Sequence, residues 1–194
     1  NEQFFGKAVI PSYNFDKADV IISVGADFLT NWLSPIEFSK QYGKVKKVKK
    51  GIRKLAKHIQ FESVLSTTGC NADERIPVKP SQQGMVLVNL YNELRGEKPL
   101  MPLGCSEKIT ALARHLLANK GKSLVVCGSN NISDQLITNA INHLLSNYGT
   151  TLDLNNPLNL FQSNDEGVNN LITELKNGEV GALILYNVNP VYTM

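Results

Sequence analysis

Three short turns carry the residue types that could grip an anion. Gly25-Ala26-Asp27, Gly128-Ser129-Asn130-Asn131 and Asn187-Val188-Asn189-Pro190 each follow an apolar run. Glycine lets backbone N–H groups come close to a phosphate, and Ser and Asn side chains add donors. In an open parallel sheet such turns sit at the carboxyl ends of strands, facing the crevice where nucleotides bind. The candidate residues are therefore Gly25, Asp27, Gly128, Ser129, Asn130, Asn187 and Asn189. A second reading of the middle turn stays open: Gly and Asn simply make the strand-to-helix turn, and Ser133 caps the helix that follows.

Other chemistry finds little footing. Cys70, Cys105 and Cys127 lack the CxxC spacing of zinc or iron–sulfur sites, and Cys127 in "SLVVCG" reads as a small buried hydrophobe. His58, His115 and His143 form no HxxxH or HExxH pair, so no metal site is predicted. GxSxG, Walker and GxGxxG patterns are absent. Asp73 and Glu74 are adjacent, so their carboxyls point apart; a salt-bridged loop explains them better than an acid/base pair.

The elements that must position the turns are legible as patterns. Short apolar runs predict strands at 20–24, 58–61, 76–78, 124–127 and 182–186. Between them lie helical stretches. "SPIEFSKQY" has Ser34 as N-cap, Pro35 at the first helical position and Glu37 completing a capping box. "SQQGMVLVNLYNEL" ends at Gly96, "SEKITALARHLLANKG" runs from a Ser106 cap to Gly121, and a fourth helix is expected from Ser133 to Gly149. Segment 150–167 reads as an irregular connection. Strands alternating with helices argue for an α/β fold: Rossmann-like, three-layered and mainly parallel. The Pro/Gly-rich stretch 96–105 predicts a hinge between two lobes, 1–98 and 99–194.

At 194 residues and 42% hydrophobic content the chain can bury a sizeable core. It starts at Asn1 and stops just after a strand signal, which reads as a piece excised from a longer polypeptide. No stretch approaches the roughly 18 apolar residues of a membrane span. The net charge of +3 hides an asymmetry: 44–57 carries eight Lys/Arg and no acid, leaving −5 elsewhere. Without interleaved aromatics this run reads as a solvated face or a dock for an acidic partner rather than a nucleic-acid site.

Taken in order, the three turns resemble those of the molybdopterin oxidoreductase superfamily, the dimethyl sulfoxide reductase type. "ADVIISVGADFL" is similar to its strand followed by a Gly-x-Asn-Pro turn. "NADERIPVKPSQQGMVLVNLYNEL" resembles its Ala-Asp, Pro and Pro-Gly-Thr-Asp helix start, and "GALILYNVNP" its later Gly-x-Asn-Pro strand end. "FFGKAVIPSYNFDKADVIISVGADFL" with "HIQFESVLSTTGCNADERIPVKPSQQG" is closer still to one branch, the iron–sulfur subunit of alternative complex III.

That resemblance implies a cofactor-free structural and assembly region of a respiratory, quinol-oxidising electron-transfer complex. Iron–sulfur clusters would lie elsewhere in the parent, and the parent rather than this region would be the oxidoreductase. It further implies a periplasmic setting and contacts with the rest of the polypeptide and other subunits, with membrane association only through them. The alternative is a region binding molybdopterin guanine dinucleotide in an active molybdenum or tungsten oxidoreductase, with a cytoplasmic setting also open. Departures from the family pattern favour the first: Asp27 and Phe28 replace Asn-Pro, putting a carboxylate and a bulky ring beside a pyrophosphate. Gly84 replaces an acid that pairs with guanine, and Asn187 stands where glycine is expected.

Overall fold

Val20–Val24 and Ser123–Cys127, runs of mainly β-branched and aliphatic residues, form two strands of the sheet. β1 is Ser12–Tyr13, β2 Val20–Val24, β3 Lys57–Glu62, β4 Glu74–Pro77, β5 Ser123–Cys127 and β6 Leu152–Asp153. The helices are α1 Pro35–Lys46, α2 Thr67–Cys70, α3 Gln83–Leu94, α4 Ser106–Leu117, α5 Ile132–Leu144, α6 Asp165–Lys176 and α7 Pro190–Thr193. This computed structural model describes residues 4, 6, 9–48, 55–158, 160 and 165–193.

Four strands make one parallel sheet in the order β4-β3-β2-β5, and β1 pairs with β6 antiparallel. The fold is thus α/β and Rossmann-like. β2 is the first strand of the sheet, β3 and β4 follow on one side of it, and the chain then crosses to place β5 on the other. The direction of winding reverses between β2 and β5, which makes their carboxyl ends the switch point of the topology.

Period-2 alternation sorts the side chains between two cores. Val20, Ile22, Val24, Ile59, Phe61, Val125 and Cys127 pack under α3, α4 and α5, with Leu87, Leu90, Leu112, Leu116 and Ile141. Ile21, Leu124 and Val126 point the other way, into a cluster of Phe15, Phe28, Phe38 and Tyr42. Phe15 and Phe28 stack at 4.4 Å between ring centroids.

Several expectations are corrected. Segment 182–186 forms no strand; Ile184 and Tyr186 are 91% and 89% exposed. Apolar residues, Ile184 and Tyr186 among them, favour strands only where neighbours supply a ladder. In the first unit the outer edge of β5 has its own partners: Asn142 bonds the N–H and C=O of Val125, Thr151 donates to Ser123 O, and Gln135 to Cys127 O. The capping box at Ser34 does not form, because Glu37 instead accepts from Gln41 Nε2 at 3.0 Å and Gln41 Oε1 accepts from Phe15 N at 2.7 Å. At α5 the cap is Asn131, whose side chain accepts from Ser133 N, rather than Ser133. The end of the expected connection 150–167 is already helix, since α6 begins at Asp165.

By internal contacts the chain divides into two units, 1–159 and 160–194. The stretch 96–105 joins α3 to α4 within the first, whose sheet includes β5. The second unit holds α6 and α7, with Val168, Leu171, Ile172 and Leu175 at helical spacing along α6. Residues 49–54 of the basic run lie outside the described residues. Within its described part, Lys44 pairs with Asp16 at 2.8 Å, and Lys46 pairs with Asp73.

Candidate functional site: the crevice at the switch point

The turn after β2 is held from three sides. Gly25 adopts φ +66, a conformation that glycine reaches without strain, and its N–H bonds Phe61 O at 2.8 Å. A Cβ there would lie 2.6 Å from Gln83 Oε1. Gln83, at the start of α3, is itself anchored to Ser63 Oγ at 2.9 Å, so its amide covers the turn. Ser23 Oγ donates to Ala26 O at 2.9 Å.

Asp27 braces the turn. Its Oδ1 accepts from Thr68 Oγ1 at 2.6 Å and from Thr68 N at 3.1 Å, tying the turn to α2, while Thr68 Oγ1 accepts from Leu29 N at 3.0 Å. Phe28 is fully buried in the second core, which corrects the expectation that its ring crowds the crevice.

The turn after β5 lies against the first one. Gly128 N donates to Val24 O at 2.9 Å, and a Cβ on Gly128 would collide with Gly25 O and the Ala26 backbone. Two backbones meet here with no room for a side chain, so Gly128 has a packing reason to be glycine. Gln135 Nε2 donates to Ser129 O at 2.6 Å, and Ser129 N approaches Cys127 Sγ at 3.4 Å. Burial pushes the Cys127 thiol upward, so it remains a thiol at neutral pH.

Beside this turn a cavity of about 300 Å³ is lined by Gly128, Ser129, Asn130, Tyr13, Trp32 and Gln135. Tyr13 and Trp32 meet edge-to-face at 4.9 Å and make an aromatic wall. Burial, with Cys127 close by, raises the Tyr13 phenol well above its usual range, so the hydroxyl keeps its proton. A wider cavity of about 520 Å³ lies beside the β4 edge of the sheet, lined among others by Arg75, Ile76, Leu103 and Cys105, and by none of the predicted residues.

Gly84, where the resemblance places a lost acid, lies against another carboxylate. A Cβ at Gly84 would be 2.5 Å from Asp134 Oδ1, in the first turn of α5. Gly25, Asp27, Gly128, Ser129 and Asn130 are thus brought to one end of the sheet. Asn187, with φ +53, and Asn189 belong to the second unit. Sequence reading missed Gln83, Asp134, Tyr13 and Trp32, because each reaches the crevice through contacts distant in the chain.

A second polar constellation lies under the crevice on β3. His58, Gln60 and Glu62 share one face and are buried, although charged and polar groups are costly to bury without partners. Against the desolvation of its site, the Ser66 hydroxyl and the Arg75 guanidinium hold the Glu62 carboxyl below the usual carboxylate range. Against a similar desolvation, Lys46 and the His58 N–H do the same for Asp73. Asp73 thus turns to α1, whereas Glu74 pairs with Lys108 of α4. Among the described residues no cluster of His, Cys, Asp and Glu is arranged to hold a metal ion, and no helix is long and apolar enough to cross a membrane.

Fold and crevice together define a Rossmann-like α/β protein with a partly filled switch point. No protein-family model matches the chain, and a search of curated proteins finds no match to it.

Proposed function

We propose that this chain is a cofactor-free structural and assembly region, of the kind carried by the iron–sulfur subunit of alternative complex III. Its work is to bury and orient neighbouring domains of a quinol-oxidising respiratory complex. The observation that carries this reading is the filling of the anion positions by the protein's own side chains. Gln83 lies over Gly25, Asp134 lies against Gly84, and the Asp27 carboxylate is engaged by Thr68. A pyrophosphate entering here would displace an anchored amide and meet two carboxylates, at a cost set by both desolvation and like-charge repulsion.

In this reading electrons pass through iron–sulfur clusters elsewhere in the parent, and the setting is periplasmic. Surfaces of this region meet the rest of the polypeptide and partner subunits, with the described lysines at 44–47 as one such surface and no nucleic acid bound. Adding guanine nucleotides or extracted molybdopterin guanine dinucleotide to the chain is expected to leave its melting temperature unchanged. A dissociation constant below about 1 μM, roughly 8 kcal/mol of binding, overturns the reading.

One observation favours the alternative, a cradle for molybdopterin guanine dinucleotide in an active molybdenum or tungsten enzyme. The 300 Å³ cavity beside Gly128, Ser129 and Asn130 keeps an aromatic wall and uncharged donors. Ser129→Trp, which fills that cavity, separates the two: it abolishes binding if the cradle is real and changes no ligand response otherwise.

A further inference from the structure

The buried row on β3 contains one proton too few for the contacts it makes. Start at its outer end. The Tyr42 hydroxyl lies 2.7 Å from Asn71 O and 3.0 Å from His58 Nδ1. His58 Nε2 lies 3.3 Å from Gln60 Oε1. Gln60 Nε2 faces Ala26 O at 3.4 Å and Glu62 Oε2 at 3.3 Å.

The orientation of Gln60 follows from its partners. Ala26 O is a carbonyl, and Glu62 is a carboxylate that already accepts from Ser66 Oγ, Ser66 N and Arg75 Nε. Both can only accept, so the amide nitrogen of Gln60 points to them and its oxygen points to His58. His58 Nε2 must then donate. At the other end Asn71 O is also an acceptor, and the one hydrogen of Tyr42 can serve either Asn71 O or His58 Nδ1, never both. A neutral imidazole therefore takes the Tyr42 hydrogen at Nδ1, whereas an imidazolium donates from both nitrogens and leaves Tyr42 free to bond Asn71.

We propose that Tyr42 and His58 form a two-position proton switch: uptake of one proton from solvent at His58 Nδ1 turns the Tyr42 hydroxyl from His58 to the Asn71 carbonyl. The movement ties α1 to the corner between α2 and β4. That corner closes α2, which carries Thr68, the residue that braces Asp27. The neutral position costs little, because Asn71 is exposed and water replaces Tyr42 at its carbonyl.

The groups around the ring set where the switch operates. Lys46 of α1 opposes a second positive charge, whereas Asp73 before β4 and Glu62 on β3 favour it, with Arg75 of β4 neutralising part of Glu62. Tyr42 and Phe28 close the remaining sides, at 5.4 and 5.3 Å between ring centroids. Burial dominates and holds His58 down to about 4, the Gln60 hydrogen bond working the other way. The neutral position thus prevails at neutral pH, and the switch turns in acid.

This inference stands apart from the proposed function and is tested without it. With ¹⁵N-histidine in the full chain, two-bond ¹H–¹⁵N correlation at pH 7.5 should report His58 as the Nε2–H tautomer. On acidification the ring should become imidazolium with a midpoint near 4, and the ¹³C resonance of the Asn71 carbonyl should move with the same midpoint. In Tyr42→Phe the ring should still titrate while the Asn71 carbonyl stays still. An Nδ1–H tautomer at pH 7.5, an Asn71 carbonyl that ignores the ring, or acid unfolding before any folded imidazolium is seen overturns the switch.

Discussion

The two faces of one sheet solve the burial problem in opposite ways. Under α3, α4 and α5 the strands present mostly aliphatic and aromatic side chains and Cys127, with Ser123 and Glu74 held by Asn147 and Lys108, and apolar packing dominates. On the other face the same strands bring Ser23, His58, Gln60 and Glu62 into the interior beside a ring of phenylalanines. Each of those polar groups is held by named partners, among them Ala26 O, Tyr42, Ser66 and Arg75. The first face is tolerant of small changes in shape; the second depends on every hydrogen bond being present.

The largest effect should come from removing the apolar frame of the polar face. Phe28→Ala empties a fully buried site between Phe15 and Tyr42 and should cost about 3–5 kcal/mol in urea unfolding. A loss below about 1 kcal/mol would mean that the aromatic cluster is not the core of that face.

Acid should separate the faces next. Because His58 is held at about 4 when folded and lies near 6.5 when unfolded, the unfolded chain takes up the proton first as pH falls. Stability present above pH 6.5 is therefore lost between about 6.5 and 4, by roughly 3 kcal/mol in all. Glu62 and Asp73, depressed in the fold, add their own losses at lower pH. Denaturant melts across this window should slope accordingly in the parent chain and flatten in His58→Leu. A flat parent profile contradicts the buried neutral imidazole.

Asn142 is a polar intrusion on the helix side. It satisfies both backbone groups of Val125 at 3.1 and 2.7 Å and accepts from Asn147 at 2.8 Å. Asn142→Ala orphans these groups and should cost on the order of 2–3 kcal/mol. Asn142→Asp should restore only the bonds it can accept.

The smallest effect is expected at Asp27. Asp27→Asn retains an acceptor for Thr68 and should lie within about 1 kcal/mol of the parent, whereas Asp27→Ala should cost more. A loss in Asp27→Asn as large as that in Asp27→Ala would mean that the carboxylate charge, rather than the hydrogen bond, holds the turn.

The division between what could and could not be read beforehand follows the range of the interaction. Val20–Val24 and Ser123–Cys127 were legible as strands because burial on both faces leaves an unbroken apolar run. Pro35 and Gly96 marked a helix start and a helix stop through local backbone rules. The segment 182–186 has the same apolar look, yet a strand is a property of a pair and nothing local supplies the partner. Ser34 and Glu37 had the spacing of a capping box, but Gln41, placed by Phe15, took the carboxylate. In "KHIQFE" alternation ordinarily means one wet face; here Phe28 and Tyr42 pack against His58 on that face, which no period within β3 could announce. At the crevice, Gly25 and Gly128 were visible as turn residues, while Gln83 and Asp134 came into view only when α3 and α5 were packed beside them.

The proposed cofactor-free role is tested most directly by metal and pterin analysis of the protein purified from its native source together with whatever chains accompany it. Iron and acid-labile sulfide without molybdenum, tungsten or pterin is the expected result. Stoichiometric molybdenum or tungsten with bound pterin would contradict it, and would mean that Gln83 and Asp134 move aside to admit the cofactor.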